Sequence, residues 1–504
     1  MDTAARYRLL VTKLREFARL EEALKLLEWD QATHMPPGAQ HDRAEQMSVV
    51  TGMLHSLRTN PSFLDLLDEL AARIKELDPP AAVDVRETKW RADRLRRVPA
   101  ELQAARARTQ ALARAAWLEA REQNNFETLR PHLYEVVRLE QEYAHRLTDD
   151  GNPYQALLED YEPGIPLTVI DQLFQELRKP LIQLAQSLKE LSRRRRKHQS
   201  VLRGHFPTNA QRSFCRFVAE RLGFDFHHGR IDESAHPFSI SIGRDHRVTT
   251  RYEQTDLRVG LYSTLHELGH ALYEQGLDPE AHGLPRGTAC SLGVHESQSR
   301  LWENFIGRSE GFWRFLLPHA GRLLPSLKGA PLEAVLVDVN EAAPSPIRTE
   351  ADELTYNLHI LLRYDLERKL ISQELRVEEL PEAWRVGMEQ LLGITPASDR
   401  EGVLQDIHWP SGAFGYFPTY TLGNVFAAQI MEAAERQIGP LSPQIERGSF
   451  RALREWLTTQ IHRRGQEERS IELIRQVTGE KPSSRALLDH LHHRFRWWVD
   501  HGGF

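Results

Sequence analysis

The sequence predicts a mainly α-helical protein with one small β-sheet, and three observations lead there. Along most of the 504 residues, Leu, Ala, Glu, Arg and Gln dominate and apolar residues recur at three-to-four spacing. One run, FDFHHGRIDESAHPFSISIGRDHRVTTRY at 224–252, breaks that pattern with β-type residues. No fixed-period repeat occurs, which excludes a solenoid, and no low-complexity linker separates domains.

The elements follow in order. RLLVTKLREFARLEEALKLLEWDQ predicts a long opening helix that stops before the breaker MPPGAQ at 35–40. Helical periodicity resumes through 41–77 and 83–148, broken by Asp78, Pro79 and Pro80. Loops at GNP (151–153) and EPGIP (162–166) precede a helix running towards residue 198. FSISI (238–242) and HRVTTRY (246–252), joined by a turn containing Gly243 and Asp245, predict a β-hairpin. Its edge would let an extended peptide add as another strand. From residue 261 the pattern is helical again, with loops near 279–288, 343–348 and 408–418.

A hydrophobic content of 40% with 27% charge is ordinary for a soluble globular protein. The net charge of −6 is mild and argues against nucleic acid as a partner. The basic run SRRRRKH (192–198) lacks interleaved aromatics and reads as a solvated helix end, where cations suit the helix dipole. Cys215 and Cys290 form no zinc-ribbon or disulfide pattern and read as reduced thiols. The segment MDTAARYRLLVTKLREF has no apolar stretch with a cleavage site, and no run of about 18 apolar residues occurs. The expected location is the cytoplasm, with no membrane partner.

The chemistry centres on HELGH (266–270), inside the helical stretch LYSTLHELGHALYEQG. His266 and His270 lie at i and i+4 on one helix face, where two imidazoles can share a metal ion. Glu267 is rotated off the ligand face and can act on a bound water as general base. A hydrolytic zinc site needs a third protein ligand and an open position. Glu296, in the helical stretch SLGVHESQSRLWENF, supplies a carboxylate from a second helix. Its neighbour His295 points about 100° away, so one of the two faces the metal. We favour Glu296, with His295 turned towards substrate or a partner of a ligand.

Further motifs stand around this core: LEWDQATHMPPGAQHDRAEQMS near the start, HPF (236–238), DHRVT (245–249), HESQ (295–298), IRTEAD (347–352) and GVLQDIHW (402–409). Together and in this order, they make the chain resemble the carboxypeptidase Taq family of zinc metallocarboxypeptidases nearly end to end. The resemblance implies a large helical body with a deep central groove, like neurolysin and angiotensin-converting enzyme, and the small β-sheet beside the active site. It implies a single metallopeptidase domain over 1–504, divisible into two lobes flanking the groove. It also implies one Zn2+ per chain, replaceable by Co2+, a homodimer, and release of C-terminal amino acids from peptides with broad specificity.

Within the matched motifs, Arg348 and Arg247 are expected to bind the substrate's terminal carboxylate, because a planar guanidinium pairs with both oxygens. Arg251 is a weaker third. Asp352 is expected to orient Arg348 or a ligand histidine, and Gln405 and Asp406 to support the groove wall. His236, His295, Gln298 and Tyr416 complete the expected substrate contacts. The oxyanion of the tetrahedral intermediate needs a donor. Tyr420, in the Gly/Tyr-rich segment HWPSGAFGYFPTYTLGNVF, is favoured for this over Tyr416, with His408 beside it. Neurolysin-like enzymes carry an Asp four residues after the Glu ligand, where this chain has Arg300, so the partner of each ligand histidine is left unassigned. The competing readings are an endopeptidase on the same scaffold, or a non-catalytic helical protein that binds protein or RNA through 193–197.

Overall fold

Side-chain caps fix where the helices begin. Asp2 accepts from the Ala5 amide to start the opening helix, Thr3–Thr33, which ends just before the Met35-Pro36-Pro37 breaker. Asn60, followed by Pro61 at the first helical position, starts Pro61–Ala72, and Asn125 starts Phe126–Leu147. The computed structural model describes residues 2–148, 151–194 and 199–501. Among the described residues its regular elements are helices apart from one three-stranded sheet.

The periodic stretches are more divided than the sequence reading expected. Residues 41–77 form Gln40–Arg58 and Pro61–Ala72, and 83–148 form Pro79–Arg97, Ala100–Gln123 and Phe126–Leu147. The breaks fall at Asn60, at Pro99 and at Asn124, which adopts a left-handed φ of 52°. The helix after EPGIP is described from Leu167 to Arg194. The reading of 192–198 as a solvated end concerns side chains outside the described residues.

The chain folds as two compact units. Unit 1 comprises 1–96, 200–339 and 430–479. Leu10, Phe17, Leu54, Phe63, Leu66, Leu67 and Leu70 build a core among its first three helices. The sheet lies in this unit. The predicted hairpin is present as β2 (Ser239–Ile242) and β3 (Asp245–Thr250), paired antiparallel, with Gly243 at φ 60° in the turn. A third strand that the sequence reading missed, β1 (Gly229–Glu233), runs parallel to β3, giving the order β1-β3-β2. Its burial does not alternate between faces, so it lacks the usual strand signature. The central strand β3 packs on the helix Leu257–Gly276, which carries HELGH.

Unit 2 comprises 97–199, 340–429 and 480–504. The antiparallel pair Ala100–Gln123 and Phe126–Leu147 encloses Leu102, Leu139, Leu147 and Ala156. Both cysteines are buried free thiols. No described helix is long and apolar enough to cross a membrane.

Candidate active site

The expected metal ligands occupy two helices of unit 1. Asp256 caps Leu257–Gly276 and Ser291 caps Leu292–Arg300. The two helices touch at Gly269, inside HELGH. A Cβ there would lie 2.5 Å from the Gln298 carbonyl oxygen and 2.5 Å from the Ser299 Cα. Only glycine allows this approach, and the approach brings Glu296 to the histidines. His266 Nε2 is 3.7 Å and His270 Nε2 3.4 Å from Glu296 Oε2. One ligand atom from each of the three residues lies within 4.8 Å of the others, the only such His/Cys/Asp/Glu group among the described residues. Two neutral imidazole nitrogens and one carboxylate oxygen suit zinc.

Each ligand histidine has its other nitrogen engaged. His266 Nδ1 is 2.8 Å from Glu303 Oε2, and Arg300 bridges Glu296 (2.7 Å) and Glu303 (3.2 Å). Glu303 is therefore the partner that the sequence reading left unassigned. It lies on a π-helical turn, Leu301–Ile306, that directly continues the Glu296 helix. His270 Nδ1 is 2.6 Å from His295 Nδ1, and His295 Nε2 is 2.9 Å from Glu274 Oε1. His295 thus backs a ligand instead of facing the metal.

The protein's own charges spread the protonation states apart. Burial opposes charge on His266, but Glu296 and Glu303 outweigh it and raise its pKa to about 9. Burial lowers His270 to about 4. Burial raises Glu267 to about 7, with Glu296 adding to the shift and His266 opposing it. Glu296 is held well below the usual carboxylate range because Arg300 and His266 overcome its burial. A carboxyl near neutrality beside a fixed ligand set fits a group that takes up and returns a proton.

The remaining predicted residues are distributed between the units. In unit 1, Arg247 sets Nε and Nη2 on Asp245 and stacks 4.0 Å from the Trp29 ring centroid, tying DHRVT to LEWDQ. Arg251 is exposed and pairs with Glu253. His236 is exposed in the β1–β2 connection, with its carbonyl accepting from Ser234. Gln298 corrects the expectation of substrate contact. It is fully buried, donates to Ser297 and meets His462 Nε2 at 3.0 Å, so it braces the helix contact from inside.

In unit 2, Arg348, His408, Tyr416 and Tyr420 come together. Arg348 places Nε (3.0 Å) and Nη2 (2.8 Å) on Asp406 Oδ1 and Nη1 on Tyr356 Oη (3.1 Å). Arg363, which the sequence reading missed, takes Asp406 Oδ2 at 2.6 Å through Nε. Two guanidinium groups therefore share one carboxylate, leaving one surplus positive charge in a buried setting. His408 Nε2 is 3.2 Å from Tyr420 Oη, and the Tyr416 ring lies 5.2 Å from His408. Burial lowers His408 to about 4, with Arg348 and Arg363 pushing the same way against Asp406, so its ring is neutral. Asp352 is a second correction. It accepts from the Leu354, Thr355 and Ala343 amides and from the Thr355 hydroxyl, capping a turn without orienting Arg348 or a histidine. Gln405 accepts from the Arg348 amide, and Asp406 is the arginines' counter-ion, more specific tasks than the wall support expected of them.

A helical protein whose HELGH helix and glutamate helix converge on a metal-ligand set is, in class, a metallopeptidase. The chain belongs to the Carboxypeptidase Taq (M32) metallopeptidase family, which it matches over residues 9–495, and it is a metallocarboxypeptidase. It is 42% identical to Thermostable carboxypeptidase 1 of Thermus thermophilus, over 98% of this chain and 99% of that one. Identity to Carboxypeptidase 1 of Bacillus subtilis is 35%, over 96% of each. Among solved structures, the M32 carboxypeptidase from Deinococcus radiodurans R1 superposes with a TM-score of 0.95 at 36% identity, covering 98% of this chain and all of that one. Trypanosoma cruzi metallocarboxypeptidase 1 gives 0.93 at 33%, covering 98% and 99%.

Proposed function

We propose that the protein is a zinc-dependent carboxypeptidase that removes C-terminal residues of varied chemistry from peptides, with Glu267 as general base. The convergence of His266 Nε2, His270 Nε2 and Glu296 Oε2 carries this reading, because these three would hold the ion. Bound zinc, or cobalt in its place, supplies Lewis acidity that makes water nucleophilic near neutral pH. Glu267 takes a proton from the attacking water and returns it to the leaving amine. Tyr420, with His408 against its hydroxyl, is the proposed donor to the oxyanion, and Tyr416 is the alternative.

Selection for the chain end rests on charge. The surplus cation of the Arg348–Asp406–Arg363 cluster is neutralised when a terminal carboxylate arrives, and an internal peptide bond offers no such anion. Arg247, whose charge is balanced by Asp245 alone, is the second choice. Digestion of a peptide and of its C-terminally amidated form, followed by mass spectrometry with and without a chelator, tests the proposal. The expected result is stepwise loss of residues from the free acid, none from the amide, and none with chelator. Equal cleavage of both peptides would make the protein an endopeptidase.

A further inference from the structure

We infer that His295 is a positioning residue that fixes the proton and orientation of His270, and that Glu274 fixes those of His295; this rests on His266, His270 and Glu296 being the metal ligands. The argument is one of proton placement. The His270 and His295 rings lie with their centroids 4.6 Å apart and their planes inclined by 29°, and meet edge to edge through their Nδ1 atoms at 2.6 Å. Two Nδ1 atoms form a hydrogen bond only when one carries a proton and the other does not.

His270 points Nε2 at Glu296, 3.4 Å away, and a ligand nitrogen must present a lone pair. Its proton therefore sits on Nδ1 and is donated to His295. His295 Nδ1 must accept, which leaves its own proton on Nε2, where Glu274 accepts at 2.9 Å. A single line of donation runs from His270 through His295 to Glu274. The reversed line would put the His270 proton on Nε2 and close that nitrogen to metal.

The carboxylate at the end of this line is what excludes the reversed arrangement. Glu274 lies one turn beyond His270 on the same helix and lines an open polar cavity of about 550 Å³ together with Lys25 and Gln275. Water therefore reaches it, and it stays an acceptor. His266 is held differently, by direct contact with Glu303 at 2.8 Å. The two ligand histidines thus have separate supports, and loss of either support loosens one ligand only. Removing such outer partners typically costs roughly 10–100-fold in metal affinity.

Three variants of the whole protein separate this role from packing. His295→Phe keeps an aromatic ring at this position but accepts no proton, Glu274→Leu leaves His295 free to take either tautomer, and Glu274→Gln retains an acceptor oxygen without the charge. Zinc release from each loaded protein is followed with a chromogenic chelator, and nitrogen-15 histidine spectra report the tautomers. The expected result is release roughly 10–100-fold faster from His295→Phe and Glu274→Leu, with Glu274→Gln between them and wild type. In wild type, His295 should carry its proton on Nε2. Circular dichroism checks the fold; should His295→Phe not fold, the part-exposed Glu274→Leu carries the test. Wild-type release rates in folded Glu274→Leu, or a His295 proton on Nδ1, would overturn the inference. Absence of stoichiometric zinc from the wild type would instead defeat the ligand assignment itself, and the inference with it.

Discussion

Glu267 is held by opposing forces that a single substitution can separate. Burial raises its pKa to about 7, helped by Glu296 and opposed by His266. It is not one of the three converging ligands. Glu267→Gln should therefore keep stoichiometric zinc while turnover falls by about 10²–10⁴-fold, the usual contribution of a positioned proton carrier. Zinc analysis beside single-turnover hydrolysis checks both halves, and a fully active variant would remove Glu267 from the base role. The converging group His266, His270 and Glu296 was legible because the i, i+4 histidines are a local pattern. Their supports lay within reach of the same logic. Glu274 is one turn past His270, and Glu303 is two turns past Glu296, both on ligand-facing sides of their helices. A search limited to the position four residues after Glu296 meets Arg300 and stops short of Glu303. The Arg348–Asp406–Arg363 cluster had no such signal, because the partners are distant in sequence and only tertiary packing unites them.

Among the elements, the segment 408–420 bears the proposed oxyanion donors, and a buried carboxylate pins it. Glu367 accepts from Trp409 Nε1 (2.8 Å), from Tyr154 Oη (2.8 Å) and from the Gly415 amide (3.1 Å). Gly415 itself sits at φ 85°, and a Cβ there would lie 2.9 Å from the Leu157 carbonyl carbon. Burial raises Glu367 to about 7 against these three donors and Arg363. The sign of the pH effect follows. The folded state holds this proton more tightly than the unfolded chain, so the contribution of Glu367 to stability is full below pH 4.5 and declines as pH rises to 7. The decline amounts to about 3 kcal/mol. Glu367→Gln should remove that decline, and at low pH it should cost about 1–3 kcal/mol, because its amide turns one donor against another. Urea unfolding of both proteins at pH 5 and pH 7.5 measures this, and parallel pH dependence in the two would exclude Glu367 as the source. Elements were otherwise readable to the degree that their signals were local. The hairpin announced itself through β-type residues and a turn glycine, whereas β1 depends on pairing with β3 for its existence. The breaks at Asn60, Pro99 and Asn124 carried turn and cap residues that helical periodicity on either side obscured.

For the whole molecule, the proposed ligand set would make metal part of the folding equilibrium. The three proposed ligands come from two helices that are separate in sequence, and an unfolded chain does not hold them together. An ion that binds only the folded chain adds about 4 kcal/mol when its free concentration is a thousand times its dissociation constant. Chelation should therefore lower the melting temperature by several degrees. Protons compete for the same nitrogens. Glu296 and Glu303 outweigh burial at His266 and raise its pKa to about 9, so a proton contests that ligand throughout the neutral range. The sign follows from competition: zinc must displace a proton more often as pH falls, so its stabilising increment shrinks in acid. Scanning calorimetry of zinc-loaded and chelated protein between pH 6 and pH 9 should show a melting difference that widens as pH rises. A difference that is absent throughout, or that widens towards acid, would mean that His266 is not a ligand.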